Sequence, residues 1–574
     1  MENKDIGEQL VTQGIAGSAV SFSVTGECGV GCQVLRWARV GAVMAGVVGS
    51  VLAADQPSSD VYLQTSRFEI SGFEVVGSRI FSGEALQGLV SAYVGPAKEY
   101  GDIQRAVEAI EFAYRKRGYA AVQVYAPEQE LTGGNVKLQV IEATVGKVVI
   151  EGETRHFDIA NLRAGIPALV EGQTPNAREL SSQIALANEN PAKQVEVVLG
   201  IGSEEGKVDA RLKTVQSAPL KTSLTLDNTG SEQTGRHRIG VALQHANLWN
   251  RDHVGTVAYQ TSPEKPSQVD IYSLSYRIPI YAWAGAIDLI LAKSTVNSGI
   301  TPTTAGNLAF AGSGTILGLR YTHTLPREGD LIQKLILGWD IKANDNTCTL
   351  GSYGATGCGP AATDVTLRPL SLTYNRLTVA PGQATELNAT LVTNLRGGNH
   401  GREADFNAAR PGTSGGASAD YTLLRGTLTH LHILEGDWQA RFVLNGQWTA
   451  QALLTQEQLG LAGSNAVRGF QEREVARDTG AQINLEGYTP SFAGTVGVDG
   501  NLRALAFLDA AQGRNHLLSG ETQPKHTLAS WGLGLRYAAG KDLSAKLDVA
   551  QILTANGNTQ RGDWRGHLNL MIAF

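Results

Sequence analysis

Hydrophobic and polar residues follow two different rhythms along this chain. Between residues 67 and about 215, helical spacing alternates with strand-like runs: Ile103, Val107, Ile110 and Tyr114 recur three or four residues apart, whereas 68–76 alternates. From about residue 217 helical spacing fades and a period of two takes over. The pattern predicts a mixed α+β region followed by a long region of β-strands.

The α+β region reads as the same unit twice. An alternating segment, two helical segments and two further strands fit one small module over residues 67–142. A second pass begins at residues 146–150, has its second helix around Ile184, and ends with strands at 195–201 and 208–215. The repeat is one of structure rather than of obvious sequence identity.

The strand region, residues 216–574, predicts a membrane barrel. Alternating runs such as Leu335, Leu337 and Trp339 are separated by turn-rich segments. About 358 residues at about 22 per strand and loop give about 16 strands. A soluble sandwich also alternates, but many strands of similar length with aromatic residues near their ends favour a transmembrane barrel, which lipid requires to be closed. The expected fold class is mainly β: a 16-stranded antiparallel transmembrane β-barrel preceded by two small α+β domains.

The one long apolar run lies near the start of the chain. Arg36 and Arg39 precede the apolar residues 40–53, and small residues lead into a polar segment. This is typical of a secretory signal peptide with cleavage after Ala53 or Ala54, and a retained anchor is the alternative. We therefore expect a signal peptide with a long N-terminal extension over 1–54 and a short linker over 55–66.

Composition excludes several functional classes. The net charge of −6, without a basic stripe, gives no reason to expect a nucleic-acid partner. No phosphate-binding loop, nucleophile elbow or cluster of metal-ligating residues is recognisable, so neither an enzyme nor a cofactor or metal is expected. Cys348 and Cys358 share a loop-like segment, and in an exported protein they predict a local disulfide.

The last strand carries a terminal pattern. Leu570, Ile572 and Phe574 fall on one face of an alternating segment that ends in Phe. Such an ending resembles the signal read by the bacterial barrel-assembly machinery; an ordinary last strand is the alternative.

Three segments resemble the two-partner secretion transporters (TpsB) of the Omp85 superfamily, the haemolysin secretion/activation type. The first is Leu226-Asp-Asn-Thr-Gly with Thr234-Gly-Arg-His-Arg and Asn247-Leu-Trp-Asn-Arg-Asp. The second is Val467-Arg-Gly-Phe470, which is similar to the tip of the family's sixth extracellular loop. The third is Phe507-Leu-Asp509, which resembles the family's F-x-D-x-G strand motif with its glycine displaced to Gly513.

The resemblance implies a fold and residue roles. The two small modules would be POTRA domains in the periplasm, and the barrel would lie in the bacterial outer membrane. The loop carrying Val467, Arg468, Gly469 and Phe470 would fold back into the lumen, where Arg468 would pair with Asp509 beside Phe507. A charge-assisted pair of this kind can hold a long loop in one place.

The expected function is export of a large secreted exoprotein of the TpsA type, a haemolysin or an adhesin. Outer-membrane lipid and, during biogenesis, the barrel-assembly machinery are the other expected partners. The alternatives are an insertase for other outer-membrane proteins, whose members carry more POTRA domains, and a passive porin, which has no need of them.

Overall fold

The computed structural model describes residues 67–574 except residues 131, 305, 413–415, 517–524 and 555–558. The predicted signal peptide and linker lie outside the described residues. Among the residues described, no helix is long and apolar enough to cross a membrane.

The first module is a three-stranded sheet covered by two helices. Its sheet order is β2-β5-β4, with β2 parallel and β4 antiparallel to the central strand, while β1 and β3 form a separate pair. Gly118 follows the second helix with φ of 96°, a conformation that favours glycine at a helix end. The elements are β1 (Phe68–Ile70), β2 (Gly72–Val76), α1 (Gly83–Val90), β3 (Gly95–Lys98), α2 (Tyr100–Lys116), β4 (Val122–Tyr125) and β5 (Asn135–Glu142).

The second module repeats this topology. The sheet order is β6-β8-β7, again with one parallel and one antiparallel neighbour around the middle strand. Its helices begin at side-chain caps, since Asp158 and Asn176 accept hydrogen bonds from backbone N–H groups of the first turns. The elements are β6 (Thr144–Gly152), α3 (Ile159–Ala164), α4 (Ala177–Ala187), β7 (Lys193–Ile201) and β8 (Lys207–Gln216).

The remaining strands close into an antiparallel barrel. Each barrel strand pairs with the next barrel strand along the chain, and the last returns to the first; β21 and β22 lie outside the barrel and pair with each other. β16 and β17 pair with the same neighbour and are separated only by Arg368, so they count as one of 16 strands, as expected. The first nine segments are β9 (Leu220–Asp227), β10 (Arg238–Leu248), β11 (His253–Thr261), β12 (Val269–Ile280), β13 (Gly285–Thr303), β14 (Gly306–Thr324), β15 (Leu331–Leu350), β16 (Val365–Leu367) and β17 (Pro369–Ala380).

Three connections in the second half of the barrel carry structure of their own. A short helix, α5 (Glu403–Ala409), follows β18, and a two-residue hairpin, β21 with β22, follows β20. A further short helix, α6 (Ala493–Val496), precedes β24. The strands are β18 (Gln383–Asn394), β19 (Thr422–Ile433), β20 (Gln439–Thr449), β21 (Leu459–Gly460), β22 (Ala476–Arg477), β23 (Thr479–Tyr488), β24 (Asn501–Arg514), β25 (Lys525–Ala539), β26 (Leu543–Ile552) and β27 (Trp564–Ala573).

The barrel is apolar outside and polar inside. On β15, Leu335, Leu337 and Trp339 are exposed whereas Asp340 is buried. Exposed tryptophans lie at both rims: Trp249, Trp283 and Trp438 on the connections facing the modules, and Trp448, Trp531 and Trp564 towards the opposite end. This distribution suits a lipid-facing wall with aromatic girdles and is the reverse of a soluble sandwich.

The wall is not of even height. β13, β14 and β15 are 19, 19 and 20 residues long, whereas most other barrel strands have 8 to 12. At about 3.3 Å per residue and a tilt of about 40°, these three strands rise about 45 Å, well beyond an apolar band of about 25 Å. β13 and β15 start, and β14 ends, at connections facing the modules, so the excess length lies at the opposite, outer end.

The seam between the first and last strands is short. β27 and β9 share five registered pairs, from Asn569↔Asp227 to Ala573↔Ser223. The side chain of Asn228 extends the pairing: its Oδ1 accepts from Leu568 N (2.9 Å) and its Nδ2 donates to Gly566 O (2.9 Å). The amide side chain of the residue just after β9 thus continues the pairing along β27, to Leu568 and Gly566.

Candidate functional site

The loop between β20 and β23, residues 450–478 and here called loop 6, folds into the barrel. Its stem is the β21–β22 hairpin, and its tip is residues 467–470. Apolar loop residues pack against the inner wall in one buried cluster. That cluster contains Leu461, Ala462, Val467, Phe470 and Val475 of the loop with Ala511, Leu528 and Ile552 of β24, β25 and β26.

Arg468 is the centre of the tip. Its side chain is only 4% exposed, and its guanidinium donates two hydrogen bonds to Asp509, from Nε (2.7 Å) and Nη2 (2.8 Å). The guanidinium carbon lies 3.5 Å from the ring centroid of Phe507. The structure therefore brings together the arginine, carboxylate and aromatic ring that the two sequence motifs carry. A bidentate pair with a stacked ring fixes the orientation of the side chain.

Two further carboxylates surround the same guanidinium. Arg468 Nη1 lies 2.8 Å from Glu486 Oε1 and 3.7 Å from Asp548 Oδ2. Each also has a cation of its own on the wall: Glu486 pairs with Arg441 and Asp548 with Arg536, both at 2.8 Å. Sequence reasoning missed these four wall residues, because each is a single inward position that only the strand register brings near the loop.

The backbone of the tip is also held. Arg468 N donates to Asp509 Oδ2 (3.1 Å), and Gly469 N donates to Nε2 of His567 on β27 (2.9 Å). Gly469 has φ of 98°, and a Cβ there would meet Ala550 and Ile552 at 3.2–3.3 Å. Glycine is therefore required at this position both for its backbone conformation and for the close approach to the wall.

Gly513 takes part in seating the stem. A Cβ on Gly513 would lie 2.7 Å from Leu461 Cδ1 and 2.8 Å from Arg477 Cβ. Ala511 occupies the position where the family motif has glycine, and it packs in the loop 6 cluster. Because Gly513 is two residues further along β24, it lies on the same inward face, so the displaced glycine still meets loop 6.

Two more buried carboxylates fix the base of loop 6. Glu457 binds Lys342 (2.7 Å) and Arg425 (2.8 Å) on the wall. Asp478 binds Arg410 (2.7 Å) from the segment after α5. No sequence motif marked these residues, although both are acidic residues close to strand ends.

The lumen beside the tip is an open polar space. A cavity of about 630 Å³ is lined mainly by charged and polar side chains. Its lining includes Asp227, Arg441, Arg468, Asn484, Glu486, Arg503, Arg536, Lys546, Asp548 and His567. Both signs of charge are present, which suits a path for an extended polypeptide of mixed sequence. Among the residues described, no group of three or more His, Cys, Asp or Glu side chains is placed to hold a metal ion.

The second module is attached to the barrel by another buried cluster. Lys193 of β7 pairs with Asp252 of the β10–β11 turn, and both side chains are buried. Tyr281 donates to the same carboxylate, and Asn161 Oδ1 accepts from Lys193 Nζ (3.2 Å). Burial lowers the pKa of Lys193, and the Asp252 carboxylate opposes that shift. The sequence motif ending at Asp252 thus lies at the junction between module and barrel.

A second set of charges supports this junction. Glu189, just after α4, pairs with Arg277 of β12 and with Lys334 of β15 (2.6 Å). Arg277 also binds Asp288 (2.8 Å) on the neighbouring strand. Through these contacts the second module reaches two barrel strands, β12 and β15, and the two turns that carry Asp252 and Tyr281.

The other sequence-predicted residues lie away from the lumen. Cys348 and Cys358 form a disulfide at the outer end of β15. On β27, Ile572 and Phe574 are exposed on the outer face of the wall and Leu570 is partly exposed.

A family model described as haemolysin secretion/activation protein ShlB/FhaC/HecB matches residues 206–537. The chain belongs to this family. A second model, POTRA domain of the ShlB type, matches residues 68–143. The haemolysin secretion/activation family groups two-partner secretion transporters of the Omp85 superfamily, so the barrel lies in the outer membrane and the POTRA domains in the periplasm.

Individual relatives agree with this membership. The chain is 23% identical to the outer membrane transporter CdiB of Dickeya dadantii over 83% of its own length and 80% of the relative's. It is 21% identical to the heme/hemopexin transporter protein HuxB of Haemophilus influenzae over 88% and 87%. Among solved structures, CdiB from Escherichia coli has a TM-score of 0.73 at 19% identity and covers 90% of this chain and 93% of its own. That likeness concerns the fold.

Proposed function

We propose that this transporter captures an unfolded exoprotein in the periplasm through its POTRA domains and exports it through the barrel lumen. The observation that carries the proposal is the position of loop 6 inside a polar lumen whose inner mouth is joined to two α+β modules. The cargo class is a large secreted exoprotein of the TpsA type, such as a haemolysin or an adhesin. Folding of the cargo outside the cell gives the passage its direction.

Capture is assigned to a sheet edge of the second POTRA domain. Among the strands that the structure describes, β7 pairs on one side only, with β8. Asn188 covers its first outer position by bonding both backbone groups of Val195. By the two-residue period, the outer backbone groups further along belong to Val197, Leu199 and Ile201, and the Ile201 side chain is 90% exposed. Backbone pairing suits an unfolded cargo because it does not depend on side chains.

The opposite edge of the same sheet is already covered. On β6, the Val148 N–H donates to Glu171 (3.3 Å) and the Val148 carbonyl accepts from Arg163 (3.0 Å). Arg163 and Glu171 also pair with each other at 3.2 Å. The β7 edge is therefore the one that we assign to cargo.

The capture role is tested by secretion assays with the full-length transporter and its cognate exoprotein. Deleting residues 67–215 should abolish secretion. Ile201→Pro, which removes one outward N–H at an exposed position, should reduce secretion severalfold, whereas Ile201→Ala keeps the N–H and should secrete normally. Unchanged secretion after the deletion would refute capture by POTRA domains, and equal loss in both point variants would refute backbone pairing.

We assign to loop 6 the task of holding the lumen in an export-competent state through Arg468. Arg468→Ala should impair secretion while the barrel still assembles, as judged by heat-modifiable migration on gels. Arg561→Ala, at an exposed arginine of the β26–β27 loop, is the matched control. Normal secretion by the Arg468 variant would reject this assignment.

A further inference from the structure

We propose that His567 is a positioning residue that holds the tip of loop 6 on the closing strand of the barrel and releases it when the imidazole is protonated. The tip has two consecutive buried backbone N–H groups with acceptors on the wall. Arg468 N donates to a carboxylate on β24, and Gly469 N donates to Nε2 of His567 (2.9 Å). His567 is only 5% exposed and lies 98 residues from Gly469 in sequence.

The direction of this hydrogen bond fixes the state of the imidazole. A ring nitrogen that accepts a hydrogen bond carries no hydrogen, so His567 is neutral with its hydrogen on Nδ1. The imidazolium has N–H groups on both nitrogens and would set a donor against the Gly469 N–H. Gly469 is buried at the wall, and a buried N–H that loses its acceptor costs free energy while the tip stays in place. Protonation of His567 therefore favours withdrawal of the tip.

His567 stands among charges of both signs. On the neighbouring strand, Asp548 is registered directly opposite and is already bound bidentately by Arg536. The facing charged groups are Asp548 and Lys546 of β26, Arg536 of β25, Asp227 of β9, Arg468 and Glu472 of loop 6, and Arg565 of β27 itself. Protonation of His567 removes the acceptor at Nε2. The nearby Asp548 carboxylate is already bound by Arg536, so it is not free to form a compensating ion pair with the imidazolium.

The same short stretch of β27 also forms the barrel seam. Gly566 and Leu568, on either side of His567, bond to the side chain of Asn228. In residues 566–568 of β27, the side chain of His567 binds the tip of loop 6, whereas the backbone groups of Gly566 and Leu568 bind Asn228, which follows β9. Withdrawal of the tip removes a constraint from the strand at the point where the seam is completed by a side chain.

The test measures access to the tip with a thiol reagent. Ala466→Cys places a small thiol beside the tip at a position that is 8% exposed. The background carries Cys28→Ser and Cys32→Ser, and Cys348 and Cys358 are consumed in their disulfide. Labelling rates of the full chain in lipid vesicles are normalised to those of Arg561→Cys, an exposed reference that corrects for the effect of pH on thiol reactivity.

Two substitutions of His567 distinguish positioning from packing. His567→Phe keeps a ring without an acceptor, and its normalised labelling should rise about tenfold at neutral pH, as expected for one buried N–H left without a partner. His567→Gln offers an amide oxygen that does not titrate, and it should stay protected at both pH 7.5 and pH 4. With His567 present, labelling should rise only on acidification.

Two results would overturn the proposal. One is a His567→Phe variant as protected at neutral pH as the unsubstituted chain. The other is a His567→Gln variant with the same response to pH as the unsubstituted chain, because the response would then come from the carboxylates. Heat-modifiable gel migration shows that each variant retains a closed barrel, and the glutamine variant keeps the test decisive if the phenylalanine variant does not assemble.

Discussion

The tip of loop 6 and the junction of the second POTRA domain are both attached to the barrel by buried ion pairs, but the two attachments are built differently. At the junction, Lys193 and Asp252 form a single ion pair with each other. At the tip, Arg468 faces three carboxylates, two of which keep wall arginines of their own, Arg441 and Arg536.

The two attachments differ in the charged partners that remain after the loop 6 tip withdraws or the second POTRA domain separates from the barrel. Withdrawal of the tip leaves the wall pairs of Glu486 and Asp548 intact, so that of the three carboxylates only Asp509 is left without a cation. Asn484 still contacts Asp509 at 2.8 Å. Lys193 and Asp252 lie on opposite sides of the junction, so separation takes both out of their one ion pair, and only water can then stabilise them. A charge that loses its partner must be stabilised by water or by a second partner. The barrel wall supplies second partners to two of the three carboxylates at the tip, whereas the ion pair at the junction has no such reserve.

The largest effect is expected from Arg468→Met. This substitution leaves Asp509 buried without a cation and also removes the contact with Glu486, so the free energy of opening loop 6 should fall by about 5 kcal/mol. Hydrogen exchange of the backbone at residues 461–475 measures that opening. Exchange as slow as in the unsubstituted chain would show that apolar packing alone seats the loop.

The matching change at the junction, Lys193→Met, should weaken docking of the second POTRA domain by about 3 kcal/mol. Faster proteolysis of the connecting segment 217–219 is the measurement.

A second substitution sharpens the comparison. Adding Asp252→Asn to Lys193→Met removes the lone charge and should restore most of the docking, and Asn tolerates the positive φ of 60° at this position. Adding Asp509→Asn to Arg468→Met should restore less than half of the tip stability, because the bond to Glu486 stays lost. Equal recovery at both sites would erase the distinction between the two attachments.

Glu142 is a buried carboxylate that takes no part in either attachment, so it provides a reference for the effect of neutralising a buried carboxylate. Glu142 in the first POTRA domain accepts from Tyr114 (2.7 Å) and from the backbone N–H groups of Arg79 and Ile80. Burial raises its pKa, but these hydrogen bonds outweigh burial, and the net pKa is lowered. Glu142→Gln should destabilise this domain by about 2 kcal/mol at neutral pH.

The pH dependence of this reference carboxylate has a defined sign. Since the folded pKa of Glu142 is below the ordinary value of 4.5, its contribution is present above that pH and is lost as the pH falls through the folded value. Thermal unfolding between pH 7 and pH 3 should show this loss in the unsubstituted chain and not in Glu142→Gln. An equal slope in both would assign the pH dependence to other carboxylates.

The smallest effect is expected from Gly513→Ala. The added methyl group would press on Leu461 and Arg477 of the loop 6 stem, and the opening free energy should fall by about 1 kcal/mol. Gly426→Ala, on the outward-facing side of β19 with no atom closer than 4.0 Å, is the control for adding a methyl group to a barrel strand. Similar hydrogen exchange in the two variants would indicate that the stem yields freely.

The sequence was sufficient for the barrel, because an apolar outer face and a polar lumen impose a two-residue period on every strand; the 16-stranded fold class is confirmed. It also identified the segments carrying Arg468 and Asp509 as motifs. Even division of the chain into strands could not reveal that β13 to β15 are far longer than the rest. Glu486, Asp548 and His567 were missed because the strand register, rather than sequence spacing, brings them to loop 6.

The three long strands give the outer mouth a raised wall on one side, which the Cys348–Cys358 bridge ties at its top. A cargo segment leaving the lumen would be screened from the surroundings along that side and open to them along the other.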